Sequence, residues 1–102
     1  MFSNKELLQM QVNLFQERVP DTVSERGKIR PITKLERLAC GRAIWYIIML
    51  GWGLSTSTTK ASTQFRCRHH QIEKVVRKLF PEDYFSKLER QKNNLMKKKL
   101  MY

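Results

Sequence analysis

The sequence predicts an all-α fold, a compact bundle of four to five helices that contains a helix-turn-helix. Three observations point there. Apolar residues recur at three- and four-residue spacing in several separate stretches, which is the period of a helix face. Two of those stretches open on a capping box, Ser3-Asn4-Lys5-Glu6 and Thr33-Lys34-Leu35-Glu36. Gly41 apart, glycine and proline fall between the stretches rather than inside them, at Pro20, Gly27, Pro31, Gly51, Gly53 and Pro81.

The first helix begins at the Ser3 box, where the hydroxyl can accept from the amide of Glu6. Leu7, Leu8, Met10, Val12, Leu14 and Phe15 give it an apolar surface broader than one seam requires. Such a surface covers the core alone, or the core on one side and a partner subunit on the other. From Arg18 to Pro31 periodicity is lost, and the segment reads as a loop or extended arm made basic by Arg26, Lys28 and Arg30. It is either a solvated linker or an arm that lies along a phosphate backbone or reaches into a minor groove.

Thr33 opens the central core helix, with Leu35, Leu38, Ala39, Ala43, Ile44, Ile47 and Ile48. Its second half, Ile44 to Leu50, is apolar on all sides and must be enclosed. A membrane is not the expected enclosure. Arg42 interrupts the run from Leu38 to Leu54, Gly41, Gly51 and Gly53 punctuate it, and it falls short of the ~20 residues a spanning helix needs. Gly51 ends the helix because glycine takes the left-handed cap geometry at no steric cost.

Ser57 to Leu79 carries the helix-turn-helix. Ala61 and Phe65 share the face of a helix expected to start near Thr58, capped by Ser57, Thr58 or Thr59. Cys67 lies too close behind Phe65 to continue that face, so the chain turns through Arg66 to Arg68. Ile72, Val75, Val76 and Leu79 then form the narrow buried stripe of a second helix whose outer side is Arg, His, Gln and Lys. The alternative is an ordinary solvated basic helix of a small bundle. Phe80-Pro81-Glu82-Asp83 starts a last helix, with acids where the helix dipole favours them. Tyr84, Phe85 and Leu88 return it to the core, and residues 89–102 form a basic helical extension or a frayed tail. There Lys97, Lys98 and Lys99 would attract phosphate, while Leu95, Met96, Leu100 and Met101 could pair two such helices across a dimer.

The chain has 102 residues and a net charge of +11, an excess that draws polyanions to a domain this small. Nucleic acid is the first expectation and an anionic membrane surface the second. No secretory signal precedes the first helix, so a cytoplasmic location is expected. The two cysteines, Cys40 and Cys67, are expected to be reduced core residues. With His69 and His70 they lack the paired ligand spacing of a zinc site, so no metal or other cofactor is expected. Four of the nine acids, Glu6, Glu36, Glu82 and Asp83, sit at helix starts, and no nucleophile stands beside a base, so an enzyme is not expected.

The spacing of the small, aromatic and branched residues around the turn resembles the DNA-binding part of sigma factors. It is also similar to small single-domain regulators of pilus and adhesin operons and of plasmid genes. In the pilus-operon family an Arg-x-Ile helix leads through Gly-x-Ser into the helix-turn-helix, and Arg42-Ala43-Ile44 and Gly53-Leu54-Ser55 stand in comparable places. The resemblance covers residues 42–79. It departs from the pattern at Arg66, where such proteins often have glycine.

The expectation is therefore a sequence-specific transcription regulator that binds double-stranded DNA as a homodimer. Arg68, His69, His70, Gln71 and Lys74 are candidates for base contacts, Thr58, Lys60, Gln64, Arg77 and Lys78 for phosphate contacts, and Arg66 is a further DNA-binding candidate. Two other classes fit the same charge: a plasmid or phage adaptor that binds RNA polymerase, and an RNA-binding or antitermination factor.

Overall fold

Thr33 sets the start of the helix on which the others pack. Its hydroxyl accepts from the amide of Glu36, and the Glu36 carboxylate accepts from the Thr33 amide at 2.9 Å, a complete capping box. In the computed structural model, which describes the backbone of residues 2–100 and the side chains of 2–91 and 93, the chain folds into five helices and one two-stranded hairpin. The elements are α1 (Asn4–Glu17), β1 (Thr22–Glu25), β2 (Lys28–Pro31), α2 (Lys34–Leu50), α3 (Leu54–Phe65), α4 (His69–Leu79) and α5 (Tyr84–Leu100). The all-α reading holds, with a small sheet added.

Ala39, Cys40, Ala43, Ile44, Ile47 and Ile48 of α2 are buried on more than one side of the helix, as its apolar second half requires. The enclosure is not complete, since Leu50 is exposed and Trp45 and Met49 are half-buried. Gly51 closes α2 in the left-handed conformation, φ 68°. Trp52 folds back to stack on Tyr46 at 4.6 Å, and the Tyr46 hydroxyl donates to Gln64 Oε1, tying α2 to α3. Among the described residues no helix is long and apolar enough to cross a membrane.

Helix α1 starts as its Ser3 cap predicts and packs through Val12, Leu8 and Phe15. Gln16 donates to the carbonyl of Gly41 at 3.0 Å and fixes α1 against α2. Phe15 stacks on Phe80 at 4.5 Å, and Phe80 meets Tyr84 and Phe85, so one aromatic cluster joins α1 to the segment between α4 and α5. Helix α5 continues past residue 89 as the basic helical extension. The expectations for Leu95, Met96, Lys97, Lys98, Lys99, Leu100 and Met101 lie outside the described side chains.

Two boundaries differ from the sequence reading. Arg18 to Pro31 is not an arm: its second part is an antiparallel hairpin pairing Glu25 with Lys28 around a two-residue turn. Arg26 and Gly27 both have positive φ, 53° and 77°, the geometry of the tight turn that matches strand twist. Helix α3 begins at Leu54, not near Thr58, with Gly53 as its N-cap and no side-chain cap. Ser57 and Thr58 are wholly buried on the side of α3 that faces the core, while Ser55, Thr56 and Thr59 of the same run are exposed.

Candidate nucleic-acid interface

Helices α3 and α4 are joined by the turn Arg66–Arg68, so the helix-turn-helix stands where the spacing put it. The close join depends on Arg66, which adopts the left-handed conformation, φ 54°, as the C-cap of α3. Its amide bonds back to the last turn of α3, as does the Cys67 amide to the Ser62 carbonyl at 2.9 Å. Glycine takes this conformation freely, whereas arginine is strained in it. Small residues let α3 pack closely: Ala61 is wholly buried, and Ser62 nearly so, its hydroxyl donating to the Thr58 carbonyl.

Helix α4 is held by Ile72, Val75 and Val76, all buried, with Leu79 half-buried. That seam sorts the other side chains by geometry. His70, Lys74, Arg77 and Lys78 are exposed, and the first three recur at four and three residues along the side away from the seam. His69, Gln71 and Glu73 flank the seam and are half-buried. Lys60, Gln64 and Arg66 on α3 and its cap are exposed, though Gln64 is engaged with Tyr46.

Several expected contact residues carry structural duties instead. Thr58 is fully buried and cannot reach a phosphate, which corrects its place among the contact residues. Its hydroxyl donates to the carbonyls of Leu54 or Ser55 and lies 3.1 Å from His69 Nε2. The tautomer of His69 sets which of the two donates in that contact. The same Nε2 lies 3.3 Å from Glu73 Oε2, one turn along α4, and it is the contact with Thr58 that joins α4 to α3.

On the other side of α4, Gln71 donates to the Ser24 carbonyl at 3.4 Å and Arg68 pairs with Glu25 at 2.7 Å. Arg68 remains mostly exposed, its side chain at 73%. Glu25 is also bonded by Arg30 at 2.6 Å, and Arg30 in turn grips both oxygens of Glu36 at 2.8 Å. The Arg30 guanidinium holds the Glu36 carboxyl down to about 2, and with Arg68 it lowers that of Glu25. This chain of ion pairs fixes the hairpin between α2 and the start of α4. Sequence reasoning missed it, because its members lie as many as 43 positions apart and carry no local signal.

Cys40 is fully buried, and burial pushes its thiol up to about 12, so it is an inert core residue. Cys67 is only half-buried. His69, His70 and Glu73 bring one ligand atom each within 4.8 Å of one another, a set that keeps the two histidines weighed from the sequence and has Glu73 in place of the cysteines. Glu73 already bonds Arg77 at 2.8 Å, and the surrounding cations oppose a further positive charge.

No family model, curated protein or solved structure matches this chain.

Proposed function

We propose that the protein is a transcription regulator that binds double-stranded DNA through α3, the turn and α4. The observation that carries this reading is the outer side of α4. A buried seam fixes the helix, its two flanks are pinned by His69 on α3 and by Gln71 and Arg68 on the hairpin, and the ridge left over is His70, Lys74, Arg77 and Lys78. The major groove admits one α-helix and displays acceptors that such donors match. His70 and Lys74 meet base edges at the middle of the ridge, and Arg77, Lys78, Lys60 and Arg66 meet phosphates at its margins. Arg68 keeps a smaller share of the base contact than the sequence suggests, because Glu25 engages it. The likeness of residues 42–79 to pilus-operon regulators points the same way.

A homodimer through α1 completes the reading. Leu7, Met10 and Leu14 are exposed at 46, 52 and 48% on the side of α1 away from Val12. They recur at three and four residues and form a second apolar seam on a helix that already has a buried one. From Asn4 to Glu17 the charges are Lys5 against Glu6 and Glu17, so this is a face on which two copies of a chain of net charge +11 can approach without repulsion. One recognition helix reads only a few base pairs, and a two-fold pair on a palindrome doubles them.

The test is a mobility-shift assay with specific and scrambled duplex over a salt series, together with light scattering of the free protein. A duplex preference that survives salt, from a dimer, supports the reading. The exposed α1 seam also suits a protein-binding adaptor. That second reading predicts weak, sequence-indifferent, salt-sensitive DNA binding and a strong complex with RNA polymerase. Preference for structured RNA would replace both.

A further inference from the structure

We propose that the β1–β2 hairpin is a second DNA-contacting element, which places Arg26 and Lys28 in and beside the minor groove next to the groove that α4 occupies. The inference rests on the duplex-binding reading of α4 and adds a contact of a different kind.

Three observations carry it. The hairpin lies along α4: Thr22, Val23 and Ser24 share a groove with Gln71, Lys74 and Lys78, and the tip comes to Arg68 at the start of the helix. The tip shares with Arg68 a second concavity, of ≈ 470 Å³, in which Arg26, Lys28, Arg30 and Arg68 face a single carboxylate, Glu25. Finally, the backbone of the tip closes the hairpin while its side chains stay outside the core. Val23 is the hairpin's buried residue, whereas Arg26, Gly27, Lys28 and Ile29 are exposed. Ile29, at 79%, is the most exposed large apolar side chain among the described residues.

The body of the hairpin is rigid where the tip is idle. Arg30 is spent on Glu25 and Glu36, Arg37 on Asp21 at 2.9 Å, and Gln71 on Ser24, so β1 and β2 are clamped to α2 and α4. Clamping cuts the ordering cost of binding, and a tight turn projects its residues away from the strands. Arginine is suited to the narrow, electronegative minor groove of A·T-rich DNA, and an apolar side chain beside it packs on sugars and base edges. Arg26, Lys28 and Ile29 supply that combination at the end of a braced ribbon.

The test is the double variant Arg26→Gln, Lys28→Gln, which removes both charges without touching the clamps, compared with Lys74→Ala and with the unaltered protein. Each is measured against a duplex with an A·T-rich flank over a salt series, with and without a minor-groove ligand such as distamycin. The double variant is expected to bind roughly tenfold more weakly, with a salt slope flattened by roughly two units. Distamycin is expected to weaken the unaltered protein and to have little effect on the double variant. Unchanged thermal unfolding of the variant would exclude a fold defect. If Lys74→Ala weakens binding while the double variant matches the unaltered protein in affinity, slope and distamycin response, the hairpin proposal is overturned and the α4 reading stands. If the unaltered protein binds no duplex at all, the α4 reading falls and takes the hairpin proposal with it.

Discussion

Helices α1 and α4 are alike on the inside and opposite on the outside. Each is held by a seam around a fully buried branched residue, Val12 in α1 and Ile72 in α4. Away from the seam, α1 presents Leu7, Met10 and Leu14, and α4 presents His70, Lys74 and Arg77. Both outer rows have helical periodicity, so neither is scattered surface composition. The scaffold anchors two helices in the same way and gives one an apolar ridge and the other a cationic ridge, which the proposed function assigns to two partners of different chemistry. The apolar ridge suits a second copy of the chain, and the cationic one suits a polyanion.

If the seams are equivalent, cutting either should be the most damaging change to the molecule. Ile72→Ala is expected to lower unfolding free energy by about 3–4 kcal/mol, and Val12→Ala by about 2 kcal/mol because it removes less. Urea unfolding measures both, and a loss below about 1 kcal/mol at either site would break the parallel. Next in size is Glu36→Gln, which should cost about 2 kcal/mol at neutral pH by removing the carboxylate that Arg30 grips. The Glu36 carboxyl is lowered from its ordinary value of 4.5 to about 2, so the unfolded chain takes up its proton first on acidification. Its contribution is therefore complete above pH 4.5 and lost as pH falls toward 2. Unfolding curves over that range should show a slope in the parent protein that is reduced in Glu36→Gln.

The outer ridges are separated by a smaller and more specific pair of effects. Lys74→Ala and His70→Ala should each lose about 1–3 kcal/mol of duplex affinity and leave the oligomeric state unchanged. Met10→Glu should do the reverse to the free protein, shifting it to monomer in light scattering with a stability change within about 0.5 kcal/mol. A Met10→Glu chain that stays dimeric would move the dimer away from α1. The smallest expected effect is Arg66→Gly, which relieves a left-handed arginine and should stabilise by about 0.5–1 kcal/mol in thermal unfolding. It also removes a cation at the margin of α4, so duplex affinity should drop slightly as stability rises.

What the sequence disclosed and what it hid follow from the range of the interactions. The capping box at Thr33, the glycine stop at Gly51 and the seam of Ile72, Val75 and Val76 depend on residues within one or two helical turns of each other, and all three were legible. The turn at Arg66 was legible too, although arginine stands where the pattern favours glycine. The start of α3 was misplaced because a run of serines and threonines resembles a cap, and no local signal tells a capping hydroxyl from one turned inward. Ser57 is an extreme case: its hydroxyl is buried and has no partner among the described residues. Thr58 was misassigned for the same reason. The hairpin escaped because each strand is four residues long and their one buried side chain, Val23, is too little for an alternation to register. Its position is set by Arg30, Glu36, Glu25 and Arg68, which are brought together only after the helices have packed.

Glu25 stands between two arginines that would repel one another without it. A phosphate arriving at Arg68 would have to compete with a carboxylate already in place, an exchange of anions that leaves Glu25 on its existing bond to Arg30. Under the proposed duplex-binding function, the acid would act as a threshold at the rim of the cationic surface, yielding to a polyanion that engages several side chains at once. Glu25→Gln would lower that threshold, and the chain would then hold nucleic acid more tightly and choose among sequences less well.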